Sequence, residues 1–235
     1  MNLPNSLTVA RIVAAPVVAW LALVDSWLSR AVAFVLFIVV AVTDYWDGKL
    51  ARDRAQVTKL GALLDPLADK LLLLATFIPM YVLQAPRGEW LAGRIGAGVD
   101  GPPEHFLPFW SPLGAVPLPF WVVAVVLGRE LLMTVFRQIA ERRGVVISAI
   151  GPAKWKTGFQ WTWVGAAFFW FSAATLAWRE QWWGAAPWRA FATFNALVGV
   201  VAMVVAVGLT LYSLWLYFAR YGRVLLPGGG ARVSD

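Results

Sequence analysis

The stretch from Asp44 to Asp69 reads DYWDGKLARDRAQVTKLGALLDPLAD, and four of its five aspartates, Asp44, Asp47, Asp65 and Asp69, lie close to the two long apolar segments that flank it. The preceding segment, residues 31–42, is apolar throughout, and the following one, residues 71–82, is predominantly so. A carboxylate close to lipid is energetically costly, so acids in this position are functional candidates. The stretch therefore predicts a cation site or a reaction site at the membrane.

The spacing of the aspartates predicts two pairs, each on one helix face. Asp44 and Asp47 are three residues apart and Asp65 and Asp69 are four apart, so each pair shares a face if its segment is helical. Small residues accompany the acids: Gly48, Ala51 and Gly61. Like charges on one face repel unless a cation neutralises them. Mg²⁺ and Mn²⁺ prefer carboxylate oxygens, and a chain with no Cys and one His does not suit Zn²⁺.

The composition indicates a membrane protein rather than a soluble domain. The chain has 235 residues, 60% of them hydrophobic, and its mean hydropathy is +0.67. The absence of Cys excludes disulfides and thiol nucleophiles. The net charge of +7 comes mainly from bases beside apolar segments, which fits anionic lipid headgroups better than nucleic acid. We therefore predict membrane lipids, and no nucleic acid, as partners.

Apolar segments of this length predict an all-α integral membrane protein with six transmembrane helices. The predicted spans are Leu7–Leu28, Ala31–Leu50, Leu60–Leu83, Leu118–Ala140, Thr157–Ala177 and Trp188–Ala219. The segment Ala85–Pro117 is rich in Gly and Pro, which predicts an irregular loop. Residues 1–219 form the predicted transmembrane domain, and residues 220–235 form a predicted disordered tail in the cytoplasm.

The distribution of Lys and Arg predicts how the chain is oriented. On the side of the aspartates, the loops and the tail carry 11 bases. The opposite side carries 5, namely Arg30, Arg87, Arg94, Arg179 and Arg189. The positive-inside rule then predicts that both termini and the aspartates face the cytoplasm. His105 falls in the outer loop and is predicted to be an ordinary surface residue. One outer loop is crowded with tryptophans, which predict an interfacial belt: Trp178, Trp182, Trp183 and Trp188.

The aspartate stretch has the form D-x2-D-G-x2-A-R-x8-G-x3-D-x3-D, with eight fixed residues over 26 positions. This pattern resembles the motif of the CDP-alcohol phosphotransferase family, and every position of the motif is present. Three further segments resemble the phosphatidylglycerophosphate synthases within that family: NLPNSLTVAR, GRELLMTVFR (Gly128–Arg137) and AKWKTGFQ (Ala153–Gln160). The similarity covers most of residues 2–160 and fades in the last two helices. The outer loop, Ala85–Pro117, looks longer than is usual in the family.

The resemblance implies an enzyme of the bacterial inner (cytoplasmic) membrane with the family's six-helix fold, usually a homodimer. It would transfer a phosphatidyl group from CDP-diacylglycerol to sn-glycerol 3-phosphate and release CMP. The implied cofactor is a pair of Mg²⁺ or Mn²⁺ ions held by Asp44, Asp47, Asp65 and Asp69. Asp69 is also the implied base for the acceptor hydroxyl. The implied CDP-diacylglycerol contacts are Asn5, Thr8, Gly48, Ala51, Arg52 and Gly61.

The acceptor carries a phosphate of its own, so its pocket needs fixed cations distinct from the metals. The predicted acceptor-phosphate set is Arg129, Arg137, Lys154 and Lys156. Arg129 lies deep in a predicted span, where it requires an anionic partner. Glu130 is one candidate, although adjacent residues do not share a helix face. For the two lysines, an ordinary positive-inside role stays open.

Three other functions stay open on the sequence alone. The same fold could use another acceptor, such as inositol phosphate or phosphatidylglycerol. A divalent-cation transporter could use the aspartates as a filter, but these acids lie at predicted helix ends and the outer halves of the helices are apolar. A purely structural membrane protein would have no use for acids that are so costly near lipid.

Overall fold

The computed structural model of the chain describes residues 3–53, 59–95, 105–145 and 151–222, and the side chains of residues 3–5, 44–63 and 152–154 lie outside this description. The helices are α1 (Leu3–Leu23), α2 (Trp27–Asp53), α3 (Lys59–Gln84), α4 (Trp90–Arg94), α5 (Phe120–Arg142), α6 (Gly151–Arg179) and α7 (Ala186–Tyr221). Two short strands, β1 (Phe109–Ser111) and β2 (Gly114–Val116), precede α5. The all-α class predicted from the sequence is therefore confirmed.

Three stretches of the described residues are long and apolar enough to cross a membrane, by length and composition alone. They are Ser6–Leu23 in α1, Leu64–Gln84 in α3 and Ala186–Tyr221 in α7. The apolar part of α2, Trp27–Thr43, is shorter. Charged residues within α5, among them Arg129 and Glu130, lower the hydropathy of that helix. The six-span count therefore stays a prediction.

Polar side chains inside the apolar helices bond to the backbone of their own helix. The Thr76 hydroxyl donates to the Leu72 carbonyl at 3.0 Å, and the Thr210 hydroxyl donates to the Ala206 carbonyl at 2.7 Å. Thr43 and Thr134 make the same kind of bond. A hydroxyl that is satisfied in this way does not need water, so threonine is compatible with a helix in lipid.

The chain divides into two compact units. The first unit comprises Met1–Phe120 and Trp161–Val200. In it, α1 packs against both α2 and α3. Their shared core is built around small and branched side chains, which let the helices approach closely: Ala15, Val40, Leu72 and Ala75.

The second unit comprises Trp121–Gln160 and Val201–Asp235. Its described core is formed by one face of α5 and the last turns of α7. The buried members are Met133, Phe136, Ala140, Tyr217 and Tyr221. On α5 these residues follow a spacing of three and four, which is typical of a helix that buries a single stripe.

The segment between α3 and α5 is more regular than predicted. The prediction of an irregular loop over Ala85–Pro117 was wrong in part, because α4 and an antiparallel hairpin of β1 and β2 lie within it. The turn of the hairpin includes Gly114, whose φ of 116° suits glycine. Backbone bonds tie the segment to the end of α3: the Leu118 amide donates to the Gln84 carbonyl at 2.7 Å.

Three of the four tryptophans predicted to form an interfacial belt, Trp178, Trp183 and Trp188, pack against one another in the first unit. The rings of Trp178 and Trp188 both contact the ring of Trp183, with centroids 5.6 Å apart in each case. Trp110 of β1 contacts the same ring edge-on at 6.0 Å. The rings therefore anchor the hairpin, and their interfacial role stays a prediction.

Candidate active site

Two polar residues of α1 contact the two aspartates of α3. The Thr8 hydroxyl donates to Asp65 Oδ1 at 2.7 Å, and Arg11 Nη1 lies 3.7 Å from Asp69 Oδ1. Thr8 and Arg11 are one turn apart on α1, and the aspartates are one turn apart on α3, so the two pairs align when the helices pack side by side. Asp65 and Asp69, one of the two acid pairs predicted to share a helix face, therefore do so.

Buried apolar residues on the neighbouring stripe of α3 explain why Asp65 and Asp69 stay exposed. Ala68, Leu72 and Ala75 follow one helical stripe and are buried, and Leu72 and Ala75 belong to the core shared with α1. The acids lie beside this stripe, and the side chain of Asp69 is 66% exposed. The residues of α1 that contact these acids are not exposed: Thr8 and Arg11 are almost fully buried. Buried donors therefore hold exposed carboxylates, which can also bind a ligand.

The rest of the predicted acidic site falls mostly outside the described side chains. The backbone of α2 is helical through Asp53, so Asp44 and Asp47 lie one turn apart on a helix, as predicted. Nothing is described of the side chains at seven predicted site positions: Asn5, Asp44, Asp47, Gly48, Ala51, Arg52 and Gly61. The described residues contain no cluster of three or more His, Asp or Glu that would hold a metal.

The two described carboxylates fit a hard divalent cation by their chemistry. Asp65 and Asp69 offer oxygen ligands from successive turns of one helix, and both are exposed. Oxygen ligands of this kind suit Mg²⁺ and Mn²⁺. A complete site needs further ligands, for which Asp44 and Asp47 stay the prediction.

A second group of predicted site residues forms a buried charged cluster in the second unit. Glu130 Oε1 accepts hydrogen bonds from Arg129 Nη1, at 2.9 Å, and from Lys156 Nζ. Arg129 Nη2 donates to the Ser213 hydroxyl at 3.2 Å, and the guanidinium lies 5.9 Å from the centre of the Tyr217 ring. The anionic partner predicted for Arg129 is therefore Glu130, because the two long side chains bend toward each other although their Cβ atoms point apart.

Of the predicted acceptor-phosphate set, the structure brings Arg129 and Lys156 together. Arg137 is exposed two turns further along α5, and among the described residues no ion pair ties it to Glu130. The side chain of Lys154 lies outside the described part of the chain.

Sequence reasoning missed several partners of these residues. Arg11, Ser213 and Tyr217 were not singled out as site residues. The spacing of Thr8 and Arg11, which matches that of the acids on α3, is a signal that would have indicated Arg11. No local pattern indicates Ser213, because it is 84 positions from Arg129.

Comparison with known proteins identifies the family of the chain. The CDP-alcohol phosphatidyltransferase family model matches residues 1–219. The chain is 29% identical to a CDP-diacylglycerol–glycerol-3-phosphate 3-phosphatidyltransferase of Arabidopsis thaliana, over 96% of this chain and 82% of the relative. It is also 29% identical to an enzyme of that name from Sodalis glossinidius, over 94% of this chain and 96% of the relative.

A relative with another name is also similar. The chain is 28% identical to a cardiolipin synthase (CMP-forming) of Oryza sativa, over 96% of this chain but 59% of the relative. The family match covers the acidic motif, both described aspartates and the charged cluster of α5 and α6. On this match, which takes in all but the last residues, the chain belongs to the CDP-alcohol phosphatidyltransferase family.

Proposed function

We propose that this chain transfers the phosphatidyl group of CDP-diacylglycerol to sn-glycerol 3-phosphate, giving phosphatidylglycerol phosphate and CMP. The observation that carries the proposal is the complete acidic motif, whose Asp65 and Asp69 are exposed on one face of α3 and held from α1. The names of the relatives from Arabidopsis and Sodalis support the same donor and acceptor.

Divalent metal dependence is general in this family, and the proposed cofactor is a pair of Mg²⁺ or Mn²⁺ ions. The residues that would hold them are Asp44, Asp47, Asp65 and Asp69. When bound, such cations neutralise diphosphate charge and lower the pKa of an alcohol. Thr8 and Arg11 fix two of these carboxylates from α1, so less of their freedom is lost when a cation binds.

In the proposed reaction, the Asp69 carboxylate accepts the proton of the acceptor hydroxyl. The resulting oxygen attacks the phosphorus that carries the diacylglycerol, and the bond from this phosphorus to the bridging oxygen breaks. CMP leaves with that oxygen, so one ester is formed for one anhydride broken. Arg52 is proposed to bind the donor phosphates, because a guanidinium matches phosphate oxygens. The other proposed donor contacts are Asn5, Thr8, Gly48, Ala51 and Gly61.

The proposed acceptor-phosphate residues are Arg129, Arg137, Lys154 and Lys156. Arg129 and Lys156 carry most of this assignment, since both are more than nine-tenths buried and share a single carboxylate. A buried cation pair with one counter-ion favours binding of a further anion such as a phosphate monoester.

A second candidate acceptor is phosphatidylglycerol, which would give cardiolipin. The similarity to the rice cardiolipin synthase favours it. The acidic motif would serve both reactions, so only the acceptor distinguishes them.

The chain is a membrane protein of a lipid-synthesis family, with long apolar helices. We propose the bacterial inner membrane as its location, with both termini and the acidic site in the cytoplasm, because Lys and Arg are more frequent on that side. We also propose one transmembrane domain over residues 1–219, a tail over residues 220–235, and a homodimer, which the family resemblance supports.

The test is CMP release by the purified protein in detergent with CDP-diacylglycerol. Glycerol 3-phosphate, inositol phosphate and phosphatidylglycerol are offered separately, with Mg²⁺, with Mn²⁺ and with a chelator. Metal-dependent release with glycerol 3-phosphate alone is expected. Release with phosphatidylglycerol instead would overturn the acceptor, and no release with any acceptor from folded protein would overturn the reaction.

A further inference from the structure

The charged cluster of the second unit is unbalanced in both charge and burial. It joins two cations, Arg129 and Lys156, to one carboxylate, Glu130, which gives a formal net charge of +1. The side chains of Arg129 and Lys156 are each 6% exposed, whereas that of Glu130 is 28% exposed. The carboxylate is therefore on the more accessible side of the cluster.

One hydrogen-bond donor of the two cations is not used within the cluster. Arg129 Nε is buried and has no hydrogen-bond partner within the described part of the chain. Both ion pairs fall on the same oxygen, Glu130 Oε1. A buried donor without an acceptor and a buried excess of positive charge are each unfavourable, and one added anion would relieve both.

Glu130 occupies the donors that such an anion would need. A carboxylate and a phosphate are both anionic oxygen acceptors for guanidinium and ammonium groups. A phosphate monoester carries more charge than a carboxylate and offers three terminal oxygens, so it can bond to Arg129 and Lys156 at the same time and still reach Nε.

We infer that Glu130 is an internal substitute for the phosphate of the acceptor. It holds Arg129 and Lys156 together while the site is empty, and it gives up at least one of them when the phosphate binds. This inference rests on the proposed function of Arg129 and Lys156 as acceptor-phosphate residues. Glu130 is thus a positioning residue that acts through the two cations.

The exchange has a consequence for specificity. Any ligand that binds Arg129 and Lys156 must replace their contacts with Glu130. A neutral alcohol therefore gains no binding free energy from the cluster. A phosphorylated alcohol gains only the amount by which the cations bind phosphate more strongly than they bind the Glu130 carboxylate. Glu130 therefore lowers the affinity for every phosphate while it keeps the cations in place. Removing its charge is expected to strengthen phosphate binding, which is the opposite of what loss of a purely structural residue would do.

The experiment compares wild type with Glu130→Gln, and uses Glu141→Gln, an exposed acid on the same helix, as the matched control. Glutamine keeps the shape of the side chain but removes the competing charge. The KM for glycerol 3-phosphate is expected to fall about tenfold in Glu130→Gln, which corresponds to ~1.4 kcal/mol. The KM for CDP-diacylglycerol should not change, and the control should match wild type in both constants.

A second measurement does not depend on turnover. Inorganic phosphate should raise the melting temperature of Glu130→Gln more than that of wild type, because the vacated cations bind it more tightly. If Glu130→Gln does not fold, Glu130→Asp replaces it in both measurements. The shorter carboxylate bridges the two cations less well, so the KM of this variant for glycerol 3-phosphate should also fall.

An unchanged or raised KM for glycerol 3-phosphate in a folded variant would overturn the inference, as would equal phosphate stabilisation in variant and wild type. Failure of the proposed function looks different. In that case wild type releases no CMP with glycerol 3-phosphate, while the melting experiment with phosphate still decides the role of Glu130.

Discussion

Thr8 and Arg11 illustrate how buried donors can fix exposed acids at the scale of single residues. Each is almost fully buried in α1, and each contacts one carboxylate of α3. A carboxylate that is held on one side has fewer orientations to lose on binding a cation, so such contacts support ligands that the residues do not touch.

Asp69→Asn is expected to abolish transfer while the fold is kept. An amide cannot accept the hydroxyl proton and is a poorer ligand for a divalent cation, so CMP release should fall by roughly 10²–10⁴-fold. The side chain of Asp69 is 66% exposed, so the melting temperature should change little. Glu141→Gln is the control for loss of an exposed acid. Near-normal turnover in Asp69→Asn would remove it as the base.

Thr8→Val tests the contact between the helices without changing side-chain volume. The hydrogen bond to Asp65 is lost, so the apparent affinity for Mn²⁺ should fall about tenfold. The measurement is the rate of CMP release over a range of Mn²⁺ concentrations. Thr193→Val is the matched control, because Thr193 donates to a carbonyl of its own helix. Equal Mn²⁺ dependence in both variants would contradict the role given to Thr8.

The sequence predicted the acidic residues but not their partners. The aspartates are visible because acids between apolar segments are rare and their spacing fits a helix. Thr8 and Asp65 are 57 positions apart, and Lys156 and Glu130 are 26 apart. Such pairs depend on how helices pack, which one chain's local pattern does not contain.

At the scale of elements, the hairpin of β1 and β2 depends on a glycine of α7. A Cβ built on Gly199 would lie 2.4 Å from Phe109 Cζ, and two more ring atoms would lie within 2.8 Å. Phe109 is buried, so its ring has little room to move. The absence of a side chain at position 199 is therefore what allows β1 to pack against the helix.

Gly199→Ala is expected to destabilise the protein by about 1–3 kcal/mol, the usual range for an overpacked site. The measurement is the melting temperature in detergent. Gly208→Ala on the same helix is the control, since nothing lies within 4 Å of the Cβ that it would add. Adding Phe109→Leu to Gly199→Ala should restore much of the loss. A melting temperature of Gly199→Ala equal to that of the control would show that the ring yields freely.

The long helices were predictable and the hairpin was not, for a physical reason. An apolar segment must satisfy its own backbone in lipid, so its length and composition already specify a helix. Strands of three residues contain too few positions to show an alternating pattern. The hairpin is instead fixed by tertiary contacts, such as the hydrogen bond from the Trp170 indole to the Pro108 carbonyl at 2.9 Å.

At the scale of the whole molecule, orientation can be tested because the chain has no cysteine. Leu113 at the hairpin tip is fully exposed, and Glu141 near the end of α5 is also exposed. In intact cells, Leu113→Cys is expected to react with a membrane-impermeant maleimide, whereas Glu141→Cys should react only after permeabilisation. The reverse pattern would invert the proposed orientation, and the unmodified chain is the control.

The count of Lys and Arg predicted on which side of the membrane each loop lies, but it did not predict which of these bases are buried. Arg30 was counted among the loop bases, yet it is fully buried and its guanidinium bonds to Asp25 and Thr175. A base with an internal acid partner contributes little to the charge that a membrane senses. Counts of loop charges are therefore reliable only where the bases are exposed.

The length of α3 places its acids at a definite depth. Asp69 and Asp65 precede Gln84, the last residue of the helix, by 15 and 19 positions. At ~1.5 Å per residue they lie about 23 and 29 Å from that end, and the hydrocarbon layer is about 30 Å thick. A crossing that begins at Gln84 would therefore leave Asp65 about 1 Å and Asp69 about 7 Å inside the opposite boundary of the hydrocarbon layer. A diphosphate carried on two acyl chains can meet them there while its tails stay in the bilayer.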